Sequence, residues 1–180
     1  HMTLASAPLE LRAGELRLQL RPDLGGCIAG LWLGELPVLR SVDGAALASV
    51  RESASYPLLP YSNRLGYRRF HWLGKDHAVQ ANHPDMPHAL HGLGWQRAWE
   101  VVSASDTEAE LVLRHAPDAD WPFAFEARQR FLLSPGELRL ELLLRNDAPH
   151  PAPVGLGWHP YFTKRERSRL HAELKERWEA

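Results

Sequence analysis

Gln129-Arg130-Phe131-Leu132-Leu133-Ser134-Pro135-Gly136-Glu137-Leu138-Arg139-Leu140-Glu141-Leu142-Leu143-Leu144-Arg145 is the stretch on which the fold turns. Ser134-Pro135-Gly136 signals a turn, because proline fixes its own φ and glycine accepts a positive one. After it, Leu138, Leu140, Leu142 and Leu144 share a face at a period of two, the period of a strand. Leu, Glu and Arg are good helix formers, but β-propensity depends on context and the periodicity outweighs it here. Gln129–Leu133 and Glu137–Arg145 are therefore expected to form a β-hairpin.

The alternation recurs on both sides of the hairpin's position in the chain. Ala109, Leu111 and Leu113 alternate with Glu110, Val112 and Arg114. After Pro117-Asp118-Ala119-Asp120-Trp121-Pro122, residues Phe123, Phe125 and Ala127 alternate with Ala124, Glu126 and Arg128, which predicts an antiparallel partner. Near the start, Leu16, Leu18 and Leu20 occupy one face of Glu15–Arg21. The 13 glycines and 14 prolines punctuate short segments along the 180 residues, as expected of many strands. Only Arg165–Ala180, free of Gly and Pro, is expected as a helix, with Leu170 and Leu174 one turn apart; a strand starting near Leu170 is the alternative. The expected fold is mainly β, an antiparallel sandwich or open barrel, with long Pro-rich loops between residues 51 and 98. One domain is expected over residues 3–180, with His1-Met2 read as a cloning scar.

Composition removes several functional classes. Lys and Arg number 21 against 22 Asp and Glu, a net charge of −1, so no global field draws nucleic acid or an anionic membrane. Cys27 is the single cysteine, which excludes an intrachain disulfide framework and a multi-thiolate metal site built from this chain alone. A reducing, cytoplasmic setting is expected. No run approaches the roughly 20 apolar residues of a membrane span, and no secretory signal pattern opens the chain.

Chemistry-bearing residues gather in two places. The first holds Pro60-Tyr61-Ser62-Asn63-Arg64-Leu65, then His83, His88, His91, Trp95 and Trp99. The second is Gly155-Leu156-Gly157-Trp158-His159-Pro160-Tyr161-Phe162. Arg and Asn hold hydroxyls or carboxylates, aromatic rings stack on a pyranose, and His moves protons near neutral pH. Plainer readings stand beside these: Asn63 as a turn former, Arg64 in a surface ion pair, and His159 as a structural histidine. Trp32, Trp72 and Trp121 are expected in packing, while most of His1, His71, His77, His115, His150 and His171 are expected to be solvated. His88 and His91 lack the further ligands a metal site needs, so no metal is expected. No Gly-x-Ser-x-Gly elbow and no phosphate-binding Gly-rich loop is present.

Taken together, Asn63-Arg64-Leu65, Phe70-His71-Trp72-Leu73-Gly74, Leu90-His91-Gly92 and Gly157-Trp158-His159-Pro160-Tyr161-Phe162 resemble the aldose 1-epimerase (galactose mutarotase) family. Pro22-Asp23-Leu24-Gly25-Gly26 and Trp121-Pro122-Phe123 add to the similarity, which runs from about Leu9 to about Leu170. The resemblance implies a large antiparallel β-sandwich and interconversion of the α and β anomers of a free hexose such as galactose or glucose, without cofactor. It implies His159 as the general acid at the ring oxygen and His91 as its assistant. Arg64 is implied as a hydroxyl ligand, with Asn63 as its neighbour. The family's continuation beyond His-Pro-Tyr-Phe supplies an Asp that contacts sugar and a Glu base, whereas this chain ends 18 residues after Phe162. Glu173, Glu176 and Glu179 read as a solvated charged face. An incomplete sandwich would expose strand edges, so a homodimer, a complementary C-terminal fragment or poor solubility is expected. Two other readings stay open: a non-catalytic carbohydrate-binding module, and a hexose-6-phosphate 1-epimerase with Arg64, Arg68, Arg69 and Arg97 as an anion clamp.

Overall fold

The computed structural model describes residues 8–177, so His1-Met2 and the end of the charged tail, Glu179 included, lie outside it. The chain opens with an antiparallel meander of β1 (Leu9–Ala13), β2 (Leu16–Arg21), β3 (Cys27–Leu33) and β4 (Leu36–Pro37). Leu11 opposes Leu18, Leu18 opposes Leu31, and Ala13 opposes Leu16, so the small alternating leucines of β2 meet apolar partners on both sides.

The proline-rich middle is not structureless. It carries β5 (Pro57–Leu58), β6 (Arg64–Leu65), the hairpin β7 (Arg69–Trp72) and β8 (Lys75–Ala78), and β9 (Ala89–Leu90). Leu73 and Gly74 both have positive φ at the β7–β8 turn, the backbone that matches strand twist in two-residue hairpins.

A second antiparallel sheet follows: β10 (Glu100–Ala104), β11 (Glu108–His115), β12 (Phe125–Ser134) and β13 (Glu137–Asn146), in that order. The expected hairpin is β12–β13, with Ser134 opposite Glu137, Phe131 opposite Leu140, and Gly136 at a positive φ in the turn. The expected pairing of the 109–114 and 123–128 runs is β11–β12, with Ala109 opposite Phe131 and Leu113 opposite Ala127. β14 (Gly157–Trp158) returns to pair with β5.

The two four-stranded sheets share one hydrophobic core. Leu11, Leu18, Leu20 and Ile28 come from the first, and Leu111, Leu113, Phe131 and Leu133 from the second. This is the antiparallel sandwich, closed by burial of side chains worth about 1.5–3 kcal/mol each. Arg128 bridges Glu110 and Glu126 across the outer face of the second sheet, at 2.8 and 2.9 Å. No helix among the described residues is long and apolar enough to cross a membrane.

One expectation fails, and one histidine departs from the solvated majority. Among the described residues 165–177 form neither a helix nor a strand, and Leu170 and Leu174 are 88% and 73% exposed. Two leucines with nothing to pack against do not offset the cost of nucleating a helix. His115 is buried rather than solvated, because the alternation of β11 sets it on the inner face opposite Phe125, where its Nε2 lies 2.8 Å from the Trp121 carbonyl.

The sandwich is open along one side. β13 is the last strand of its sheet, and its leucines are only partly buried. Between β13 and the first sheet lies an apolar groove of about 590 Å³, walled by Leu31, Leu33, Leu138, Leu140, Trp158 and Phe162.

Candidate active site

Alternation along Gly157–Phe162 divides its side chains between two faces. Trp158, Pro160 and Phe162 line the apolar groove. His159 and Tyr161 turn the other way, and their rings lie 4.8 Å apart. The segment is held against residues 54–58: Gly157 and Trp158 pair with Leu58 and Pro57, while the amides of His159 and Tyr161 donate to the Tyr56 and Ala54 carbonyls. His159 consequently stacks on Tyr56, with centroids 4.8 Å apart and planes 19° from parallel.

The His91 loop reaches the same place through the other side of that strand. The amides of Leu93 and Gly94 donate to the Leu59 carbonyl, and Gly92 bridges to Leu59. Gly92 has φ 69°, and a Cβ there would run into the Leu59 carbonyl oxygen, so only glycine permits this approach. His91 itself has a left-handed backbone at φ 60°. Two side chains grip the carbonyls on either side of it. The Trp95 indole N–H donates to Gly92 at 3.0 Å and Leu90 at 3.2 Å, and the Asn82 amide donates to the same two oxygens at 3.2 and 2.7 Å.

These contacts set the two imidazoles 5.4 Å apart, nearly perpendicular, with Tyr56 beside both. Neither Nδ1 reaches solvent or a hydrogen-bond partner. A buried N–H without an acceptor is costly, so the neutral form of each ring is best accommodated with its proton on Nε2. That leaves two N–H groups for an incoming hydroxyl or ring oxygen.

Electrostatics separates the pair. Burial, then the neighbouring His159 and Arg64, push the His91 pKa down to about 4, so His91 is neutral at pH 7 and donates a hydrogen bond without carrying charge. Burial and the Tyr161 hydroxyl push Tyr56 well above the usual phenol range, which removes it as a base. Burial likewise lifts the Cys27 thiol to about 12 and keeps it unreactive.

Arg64 and Asn63 adjoin the histidines through backbone pairing. Arg64 pairs with Leu90, and the His91 amide donates to the Asn63 carbonyl at 2.8 Å. Both side chains are exposed, Asn63 has φ 56°, and Arg64 donates to the Asn63 side-chain oxygen at 3.5 Å. Asn63 is thus a turn former as well as a site neighbour, and Arg64 makes no ion pair among the described residues. Arg97, one of four arginines considered for an anion clamp, is already bound to Asp118 and Asp120 at 3.1 and 2.7 Å. His88 accepts the Tyr67 amide through Nδ1. No group of three His, Cys, Asp or Glu side chains placed to hold a metal ion assembles among the described residues.

Tyr56, Asn82 and Trp95 were not singled out as positioning residues from sequence. Their roles depend on contacts between distant segments, and only Trp95, four residues beyond His91, lay close enough to raise the question.

The family model for aldose 1-epimerase matches residues 9–180. Among curated proteins, the chain is 33% identical over 168 residues to YphB of Escherichia coli K12, itself uncharacterized, covering 93% of this chain and 56% of YphB. A crystal structure from E. coli K12, provisionally described as an aldose 1-epimerase, superposes with a TM-score of 0.77 at 33% identity over 86% of this chain and 51% of that one. The Slr1438 protein of Synechocystis sp. PCC 6803 superposes with a TM-score of 0.72 at 25% identity, covering 93% and 60%. The chain therefore spans little more than half the length of these relatives. Sequence match and shared fold agree, and the chain belongs to the aldose 1-epimerase family.

Proposed function

We propose that this chain binds a free hexose between His91, His159 and Arg64 and carries the acid half of an anomer interconversion. The observation behind it is the pair of imidazoles 5.4 Å apart, each without a partner at Nδ1, beside an arginine whose side chain is otherwise almost unengaged. In this reading the imidazolium form of His159 delivers its Nε2 proton to the ring oxygen and becomes neutral. A base removes the C1 hydroxyl proton, the bond between C1 and the ring oxygen breaks, and an open-chain aldehyde forms. Rotation about C1–C2 and reclosure on the other face give the second anomer, with both protons returned. His91, neutral at pH 7, hydrogen-bonds the ring oxygen region, and Arg64 with Asn63 holds hydroxyls. No described residue of this chain is assigned as the base. General acid catalysis contributes about 10²–10⁴-fold. We place the protein in the cytoplasm, in keeping with its single free thiol.

A second reading, a sugar-binding module without turnover, draws on one observation: among the described residues the charged neighbours that shift His91 are His159 and Arg64, with no carboxylate beside them. Polarimetry on freshly dissolved α-D-galactose and α-D-glucose separates the readings. The enzyme reading requires acceleration over buffer that disappears in His159→Ala. Acceleration that survives the substitution removes His159 from the chemistry, and sugar binding with no acceleration leaves the module.

A further inference from the structure

A proton-donating histidine is usually oriented by a hydrogen bond: one ring nitrogen bonds a carbonyl or carboxylate, and the other is thereby aimed. His159 lacks that bond at Nδ1, which is buried without a partner. Aromatic walls hold its ring instead. The ring centres of Tyr56 and Tyr161 each lie 4.8 Å from that of His159 and 6.3 Å from each other. The imidazole therefore sits in the corner between two phenols, 19° from parallel with Tyr56 and 31° with Tyr161. The two hydroxyls close the corner at 3.5 Å.

The walls are held differently. Tyr56 is buried and stacks on the buried Trp95, with centroids 5.7 Å apart. Tyr161 is only partly buried, so packing restrains it less. Arg40 grips it twice. The Arg40 amide donates to the Tyr161 carbonyl at 2.8 Å, and the guanidinium carbon lies 3.8 Å from the centre of the Tyr161 ring, within cation–π range. The guanidinium is pinned in turn at the end of the short 3-10 helix Val50–Glu52. It donates to the Arg51 carbonyl at 2.9 Å and to the Ser53 carbonyl through both Nε and Nη2. A planar guanidinium does both jobs at once, bonding carbonyls with its edge while its face covers a ring.

We propose that Arg40 is a positioning residue for His159. It clamps Tyr161, and Tyr161 with Tyr56 fixes the plane of the imidazole, and with it the direction of Nε2, before a sugar arrives. A ring free to swing would present Nε2 in the productive direction for only part of the time. Arg40 acts through Tyr161 and is not itself a catalytic residue. The catalytic consequence rests on the proton-donor role proposed above for His159; the clamp does not.

NMR of the sugar-free chain tests the clamp, because neighbouring ring currents displace the carbon-bound imidazole protons of His159. Arg40 is exposed, so Arg40→Met keeps the aliphatic stem and removes the guanidinium without opening the core. The expected result is that R40M moves the His159 signals toward their open-solution positions and leaves those of His91 in place. Tyr161→Phe keeps the ring and holds the His159 signals. Tyr161→Leu releases them, and R40M added to Y161L moves them no further. Unmoved His159 signals in R40M overturn the proposal, as does an equal displacement of His91, which marks general loosening. An R40M effect undiminished in Y161L also overturns it, since Arg40 would then not act through Tyr161. Polarimetry on α-D-galactose reads the consequence: R40M lowers kcat about tenfold with KM unchanged. An unaltered kcat beside displaced His159 signals removes the positioning role. A wild type without acceleration refutes the turnover proposed above, while the spectra still decide the clamp.

Discussion

Replacing His91 with Asn isolates one titration and leaves the loop intact, because Asn tolerates the left-handed backbone that His91 adopts at φ 60°. In the folded chain the imidazole titrates near 4, against 6.5 for an unburied histidine. Between those values the unfolded chain binds a proton that the folded chain does not. Stability therefore rises with pH across this window: the contribution is complete above about pH 6.5 and is lost as the pH falls toward 4. At about 1.4 kcal/mol per unit, the shift corresponds to roughly 3 kcal/mol. Urea denaturation of both proteins at half-unit steps from pH 4 to 7.5 reads it, since titrations remote from His91 cancel in the difference. The wild type should lose about 3 kcal/mol more than His91→Asn on going from pH 7 to pH 4. Parallel curves would mean that the imidazole charges freely in the folded state, and the division of labour between His91 and His159 would fail with them.

Two further outcomes follow from the same geometry. Trp95→Phe keeps a ring beside Tyr56 but removes the N–H shared by the Leu90 and Gly92 carbonyls, which Asn82 still serves; a loss of about 1 kcal/mol in denaturant titration is expected, and no loss would show that Asn82 alone holds the His91 loop. Arg64→Ala should weaken hexose binding by roughly 1–3 kcal/mol in calorimetry with the fold unchanged, and equal affinities would confine Arg64 to the surface.

The long strands were legible because period-two alternation survives over six to ten residues, as in β2, β11, β12 and β13. β5, β6, β9 and β14 were not, since two residues carry no period and each exists only through a partner far along the chain, Pro57–Leu58 with Gly157–Trp158 being the case that builds the site. His115 could have been read as an inner-face residue from the alternation that places Leu111 and Leu113 there, but its polarity argued the other way. In the tail, helix propensity without a surface to pack on gave the wrong element. The site divides similarly. His91, His159, Arg64 and Asn63 were found through family-like motifs, and the structure brings the two histidines into ring contact. Tyr56, which stacks on His159, and Asn82, which grips the His91 loop, have no local signature.

The most direct measurement is the imidazole ¹⁵N spectrum of the chain at pH 7, recorded without sugar and with saturating D-galactose. The free protein should show His91 as a neutral ring protonated at Nε2. Galactose should shift the Nε2 signals of His91 and His159 while the other histidines hold still. Unchanged His91 and His159 signals at a sugar concentration that calorimetry shows to be saturating would place the hexose elsewhere and contradict the assignment of this pair as the sugar-contacting groups.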